Sequence, residues 1–191
     1  MTRRLCQADD DVADRKLGRS KKTTIRKAGC LGTALAEILR ELKIDVQANA
    51  VTVQNKAIVA WMLDHPNDER FAPYGPGKAG AVIDRVGAAN GLRVSERVGA
   101  DDGVVAMREA VCSALGSGGR ALMHVDDDHV DDDDDPVHWV TALRLEGADV
   151  VYADPANGQE GRLALVTLAG ASTRGDKRPY RCLGVRAVHK A

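Results

Sequence analysis

Lys27-Ala28-Gly29-Cys30-Leu31-Gly32-Thr33-Ala34-Leu35-Ala36 opens a run with helical apolar spacing. Leu31, Leu35, Ile38 and Leu42 share one helical face, with Leu39 beside them. Glu37, Arg40, Glu41 and Lys43 fall largely on the other. The spacing predicts an amphipathic helix from residue 30 to about 43, with Cys30 in its first turn. A helix start carries unpaired N–H groups and a partial positive charge, which favour thiolate over thiol. Cys30 is therefore a candidate nucleophile. Alone, it reads more readily as a small buried residue, since a free cysteine packs like a hydrophobe. The rest of the chain has to decide.

The 191 residues suffice for one domain with a real core, and 1–191 reads as a single domain. Net charge is -1, so no global field points to nucleic acid or to a membrane surface. Only six aromatic residues are present (Trp61, Trp139, Phe71, Tyr74, Tyr152 and Tyr180), so the core must be built mainly from aliphatic side chains. Nothing resembles the stacking platform of a single-strand binder. No apolar run is long enough to span a membrane, and no signal peptide opens the chain. Cys6, Cys30, Cys112 and Cys182 lack metal-knuckle spacing and read as reduced thiols, with all but Cys30 structural.

Along the chain, residues 5–29 lack periodicity and read as an irregular arm laid over the domain. Helices are expected at 53–63, 79–90 and 104–115, with a loop at 70–77 and a short strand at 92–98. Residues 116–119, Gly-Ser-Gly-Gly, stop the last helix. Strands are expected at 121–125, 137–145, 150–153, 163–168 and 182–188. Helices come first and an antiparallel sheet second, which is an α+β arrangement.

A thiolate nucleophile needs a base, and the base needs an orienting group. Of the five histidines, His138 stands on a predicted strand with Val140 and Ala142 on the same side. A hairpin turning about Glu146 would set position 138 directly opposite Asp154, where cross-strand Cβ atoms lie about 4.5–5.5 Å apart. Asp154 would then hold the imidazole in one tautomer. Alone, Asp154 is also an ordinary turn residue before Pro155.

Gln7…Leu17-Gly18-x-Ser20…Gly29-Cys30-x-x-Thr33-x-x-Ala36, Gly119-x-Ala121-Leu122, His138-Trp139-Val140 and Ala153-Asp154-Pro155 together resemble the bacterial papain-fold cysteine peptidases. The branch is similar to the double-glycine, bacteriocin-processing leader peptidases. The resemblance runs from about residue 5 to 158, with 45–118 matching only in helical character. It implies a papain-like α+β fold with Cys30 as nucleophile, His138 as general base and acid, and Asp154 as orienter. Gln7 would donate its amide to the oxyanion beside the Cys30 N–H. Gly29 and Trp139 would border the substrate, with Trp139 shielding the His–Asp pair from water. The strand alternation turns Trp139 away from His138, so plain core packing is an equal reading. Gln7 lies 23 residues before Cys30, farther than in the true leader peptidases, which fits the looser peptidase-like relatives.

The expected activity is cysteine-dependent hydrolysis of a peptide or amide bond through an acyl-thioester. It requires no metal or organic cofactor. The same machinery serves deamidases and transglutaminases, so an effector or toxin domain acting on a protein glutamine is the rival reading. An inhibitory or immunity protein would be its natural partner. The abrupt start before Gln7 would suit a domain cut from a longer chain, cytoplasmic or exported without a classical signal. A non-catalytic binding module on the same fold is a third reading. The acidic loop 126–135 holds eight carboxylates in ten residues and runs almost into His138. It reads as a solvated insertion, as a preference for basic substrates, or as a field that raises the His138 pKa. Its spacing does not match a calcium loop.

Overall fold

The computed structural model describes residues 4–16, 24–53, 55, 76–126, 138–168 and 180–191. Leu17, Gly18 and Ser20 of the sequence pattern lie outside these. So do the predicted helix beyond residue 55, the loop at 70–75, and 127–135 of the acidic loop.

The first helical turn, α1 (Ile25–Ala28), breaks at Gly29 and leads into α2 (Cys30–Glu41). The break requires glycine. A Cβ on Gly29 would lie 2.5 Å from Ile25 Cγ2 and 2.5 Å from the Ile25 carbonyl oxygen. The expected apolar face of α2 is buried, and Arg40 on the other face is exposed. Glu37 departs from the expectation. It is buried, because Arg4 reaches over α2 and its Nη1 lies 3.0 Å from the Glu37 carboxylate.

Two further helices are α3 (Pro76–Ala89) and α4 (Gly103–Gly116), close to their predicted ranges. The strands are β1 (Leu92–Val94), β2 (Val98–Gly99), β3 (Arg120–Asp126), β4 (His138–Glu146), β5 (Asp149–Asp154), β6 (Gln159–Ala164) and β7 (Arg181–Lys190). Among the described residues they form one antiparallel sheet in the order β1-β7-β3-β4-β5-β6, with β2 also on β7. The strand expected at 163–168 begins instead at Gln159, and residues 165–167 form a 3-10 turn. Gly158, at φ 67°, starts β6 early by closing the turn after Asp154.

Period-two alternation gives each face of the sheet its own core. Leu122, Trp139 and Val188 pack with α2 and α3 on one side. Met123, Val125, Val140, Ala142, Val150 and Tyr152 pack with α4 on the other. A buried hydrogen bond from Thr141 Oγ1 to the Ala34 carbonyl, 2.8 Å, ties α2 to β4. The arm does lie over the domain. Arg4 N–H donates to Gly158 O, Leu5 N–H to Glu37, and Gln7 N–H to Pro155 O.

The β4–β5 hairpin corrects the expected register. It turns at residues 147 and 148, with Glu146 paired to Asp149 and Arg144 to Val151. A bulge at Leu143 then shifts the ladder, so that Ala142 faces Tyr152 and Thr141 faces Ala153. Continued, that register sets Asp154 beside Val140, and His138 lies two residues further along the same face. The pair is diagonal rather than directly opposed. Without the bulge, Asp154 would fall opposite Thr141, on the other face of the sheet from His138.

Asp126 also departs from its expected place in a solvated loop. It ends β3, is buried, and pairs with Arg181 Nη2 at 2.9 Å. No described helix is long and apolar enough to cross a membrane.

Candidate active site

One end of the sheet collects the start of β4, the end of β5, the end of β3 and the start of β7. His138 is the first residue of β4 and Asp154 the last of β5. His138 Nε2 lies 2.8 Å from Asp154 Oδ1. That leaves Nδ1 as the ring nitrogen for a second partner. Cys30 is among the groups that act on the ring and raise its pKa. Cys30 is half-buried at the first position of α2 and packs against the core cluster that contains Trp139.

The electrostatics of the pair follow from its surroundings. Burial pulls the His138 pKa down, but the hydrogen bond to Asp154 and the nearby Cys30 outweigh it and raise the pKa to about 9. Burial would raise the Asp154 carboxyl. The bonds from His138, the Ala156 N–H and the Tyr180 hydroxyl instead hold it below the usual carboxylate range.

Asp154 is saturated with donors. Oδ1 accepts from His138 and from the Ala156 N–H at 2.8 Å. Oδ2 accepts from the Tyr180 hydroxyl at 2.8 Å and from Asn157 Nδ2 at 3.2 Å. The Ala156 bond is an Asx turn, in which the side chain binds backbone two residues on. Turn residue and histidine partner are thus one carboxylate in two uses, and not alternatives.

Gln7 stands between the Asp154 turn and the chain entering α2. Its N–H donates to Pro155 O at 2.9 Å and its Nε2 to Arg26 O at 2.9 Å. Gln7 Oε1 is buried with no partner among the described residues. One Nε2 proton remains beyond the Arg26 bond, since a primary amide carries two. Gly29 has a packing role, set by Ile25, and its carbonyl accepts from both Thr33 N–H and Thr33 Oγ1 at 2.9 Å. Trp139 lies in the α2-side core and stacks on the cross-strand His124, with ring centroids 4.6 Å apart. His124, half-buried there and near Arg97, has its pKa lowered to about 4 and stays neutral.

The aromatic ring beside His138 is that of Tyr180, 5.6 Å away between centroids. Sequence reasoning missed it. Tyr180 is 26 residues from Asp154, and no local pattern links them. The available signal was an isolated aromatic at the head of a strand in an aromatic-poor chain. Arg4 and Glu37 were missed for the same reason. Cys6 is buried and Cys182 is pushed up to about 12 by burial, while Cys112 packs partly against the α4-side core. Among the described residues no group of three or more His, Cys, Asp or Glu side chains could hold a metal ion.

No family model and no curated protein sequence matches this chain. Solved structures do. A candidate C39-like peptidase from Bacillus anthracis superposes with a TM-score of 0.52 at 13% identity, covering 86% of this chain and 90% of that one. The Pseudomonas avirulence protein AvrPphB gives a TM-score of 0.38 at 15% identity, over 83% and 88%. The first likeness concerns the fold, a papain-like α+β architecture with Cys30 at a helix start ahead of an antiparallel sheet. A double-glycine leader specificity gains no support from it.

Proposed function

We propose that the protein is a cysteine-dependent hydrolase acting on a peptide or amide bond. One observation carries the reading: His138 is gripped by Asp154 through Nε2 while Cys30 interacts with the same ring. The pairing supports a reading in which Cys30 is nucleophile, His138 base and acid, and Asp154 orienter, as in thiol acyl transfer. A histidine that keeps its proton beside Cys30 has that proton ready for the leaving group.

In this reading Cys30 Sγ attacks the carbonyl carbon, and the oxyanion takes hydrogen bonds from the Cys30 N–H and the free Nε2 proton of Gln7. His138 passes its proton to the leaving nitrogen as the C–N bond breaks, which leaves a thioester on Cys30. His138 then takes a proton from water, the hydroxide adds to the thioester, and the acid leaves as Sγ is released. Asp154 keeps the ring in register throughout. Gly29 and Trp139 contribute by fixing Cys30 and the wall behind it.

Iodoacetamide in mildly acidic buffer tests the reactive thiol. Cys30 should be labelled stoichiometrically and far faster than Cys112, and Cys30→Ala should remove the fast phase. Equal, slow labelling of both cysteines would refute the hydrolase reading and leave a binding module. Mass spectrometry of candidate peptides then separates the reactions. Chain cleavage identifies a peptidase. A gain of about one mass unit with the chain intact identifies a deamidase, the expected chemistry of an effector acting on glutamine.

A further inference from the structure

We infer that Tyr180 is the positioning residue of the His138–Asp154 pair, holding the carboxylate by its hydroxyl and covering the pair with its ring. This rests on the hydrolase reading of the same site and adds a residue to it.

Tyr180 engages the pair through both its hydroxyl and its ring. Its hydroxyl donates to Asp154 Oδ2 at 2.8 Å, on the oxygen that His138 does not use. A carboxylate can rotate about its Cβ–Cγ bond. The Ala156 N–H and the Tyr180 hydroxyl, one on each oxygen, keep Oδ1 turned to His138. The other side-chain donor to Oδ2, Asn157 Nδ2, is longer at 3.2 Å and lies on the exposed turn. Tyr180 is buried, and its ring is wedged between His138 and Tyr152, tilted 37° to the first and 62° to the second. The Tyr152 ring in turn contacts Gly161, where an added Cβ would fall within 2.2 Å of the Tyr152 hydroxyl. The wedge therefore has a rigid back. It occupies the place that the sequence had reserved for Trp139, whose ring stacks on His124 instead.

Tyr180→Phe isolates the hydroxyl, because the ring and its packing are kept. With only the longer Asn157 bond left on Oδ2, the carboxylate is held less firmly and its bond to His138 Nε2 weakens. The imidazole then loses part of the pull that keeps it protonated. Two readouts need no substrate. In the wild type, the His138 Nε2 proton should give a low-field resonance that exchanges slowly with water. In Tyr180→Phe that proton should exchange about tenfold faster or more, as expected for loss of a hydrogen bond to a charged group. The basic limb of the pH profile for Cys30 alkylation should move to lower pH, while thermal unfolding confirms an intact fold. A merely structural tyrosine would change the melting temperature and leave both readouts in place.

Unchanged exchange and an unchanged pH profile in folded Tyr180→Phe would overturn the inference. If the variant does not fold, the wild-type protein decides alone: a His138 Nε2 proton in rapid exchange with water excludes a covering role. Failure of the hydrolase reading looks different. There, wild-type Cys30 is unreactive from the start, whatever stands at position 180.

Discussion

His138 is subject to opposed effects, and their balance has a consequence for stability. Its raised pKa means that folding favours the protonated ring. That contribution is fully present below the unfolded value near 6.5 and is lost as pH rises through about 9. Asp154 behaves oppositely. Its depressed pKa contributes above the unfolded value of about 3.9 and is lost as pH falls through the folded one. The pair thus stabilises most between roughly pH 4 and 6.5. Thermal unfolding of the wild type should show a melting temperature that declines between pH 6.5 and 9, whereas Asp154→Asn, lacking the carboxylate charge, should show a flatter profile. Parallel profiles for the two proteins would contradict the coupling. At this scale the sequence singled out His138 and Asp154, which the fold joins by a hydrogen bond, and Cys30 at the start of α2. Cys30, His138 and Asp154 were legible because each sits at a recognisable boundary: a helix start, a strand start, and a strand end before proline.

Elements set where those residues point, and two joints matter. The first is the α1–α2 break at Gly29. Gly29→Ala would drive a methyl group into Ile25, and either α1 or the start of α2 must move. Overpacking of this kind costs about 1–3 kcal/mol, readable as a lowered denaturation midpoint. Cys30 follows directly, so its alkylation rate should fall with it. A variant with unchanged stability and unchanged labelling would show that the joint relaxes freely. The second joint is the Leu143 bulge. The apolar alternation of β4 was readable, but a bulge leaves no mark in an alternation that ends soon after it. The predicted register put His138 opposite Asp154 by symmetry about Glu146. The protein brings them together diagonally, by turning later and then slipping one residue.

The whole molecule is organised around the two ends of α2. At one end is Cys30. At the other, about 18 Å away for twelve helical residues, Leu42 and Lys43 line a cavity of about 480 Å³ with Arg93, His189 and Lys190. Lys43 adopts a left-handed φ of 54° there, the capping position that follows a helix end. The end of α4 opens on the same cavity through Ser117 and Gly118. Lys43, Arg93 and Lys190 are placed to offset the partial negative charge of two helix C-termini. Between the ends, Arg4 binds Glu37, Glu41 and Glu160, which fastens the arm carrying Gln7 to α2 and β6 together. Arg4→Ala leaves the buried Glu37 without that partner. It should cost about 3 kcal/mol in urea denaturation, the scale for breaking a buried ion pair. A loss below 0.5 kcal/mol would mean that the arm is not held by Arg4.

By itself the sequence determined the order and kind of most elements, the helix-start cysteine, the strand histidine and the aspartate before Pro155. These depend on periodicity and turn chemistry, which act over a few residues and are written locally. Only the tertiary structure decided which face of the sheet Asp154 shares, that Tyr180 and not Trp139 lies against the imidazole, and that Glu37 is buried under Arg4. Those outcomes depend on register and on packing between segments tens of residues apart. There a one-residue slip or a single long side chain changes the neighbour without changing any local pattern.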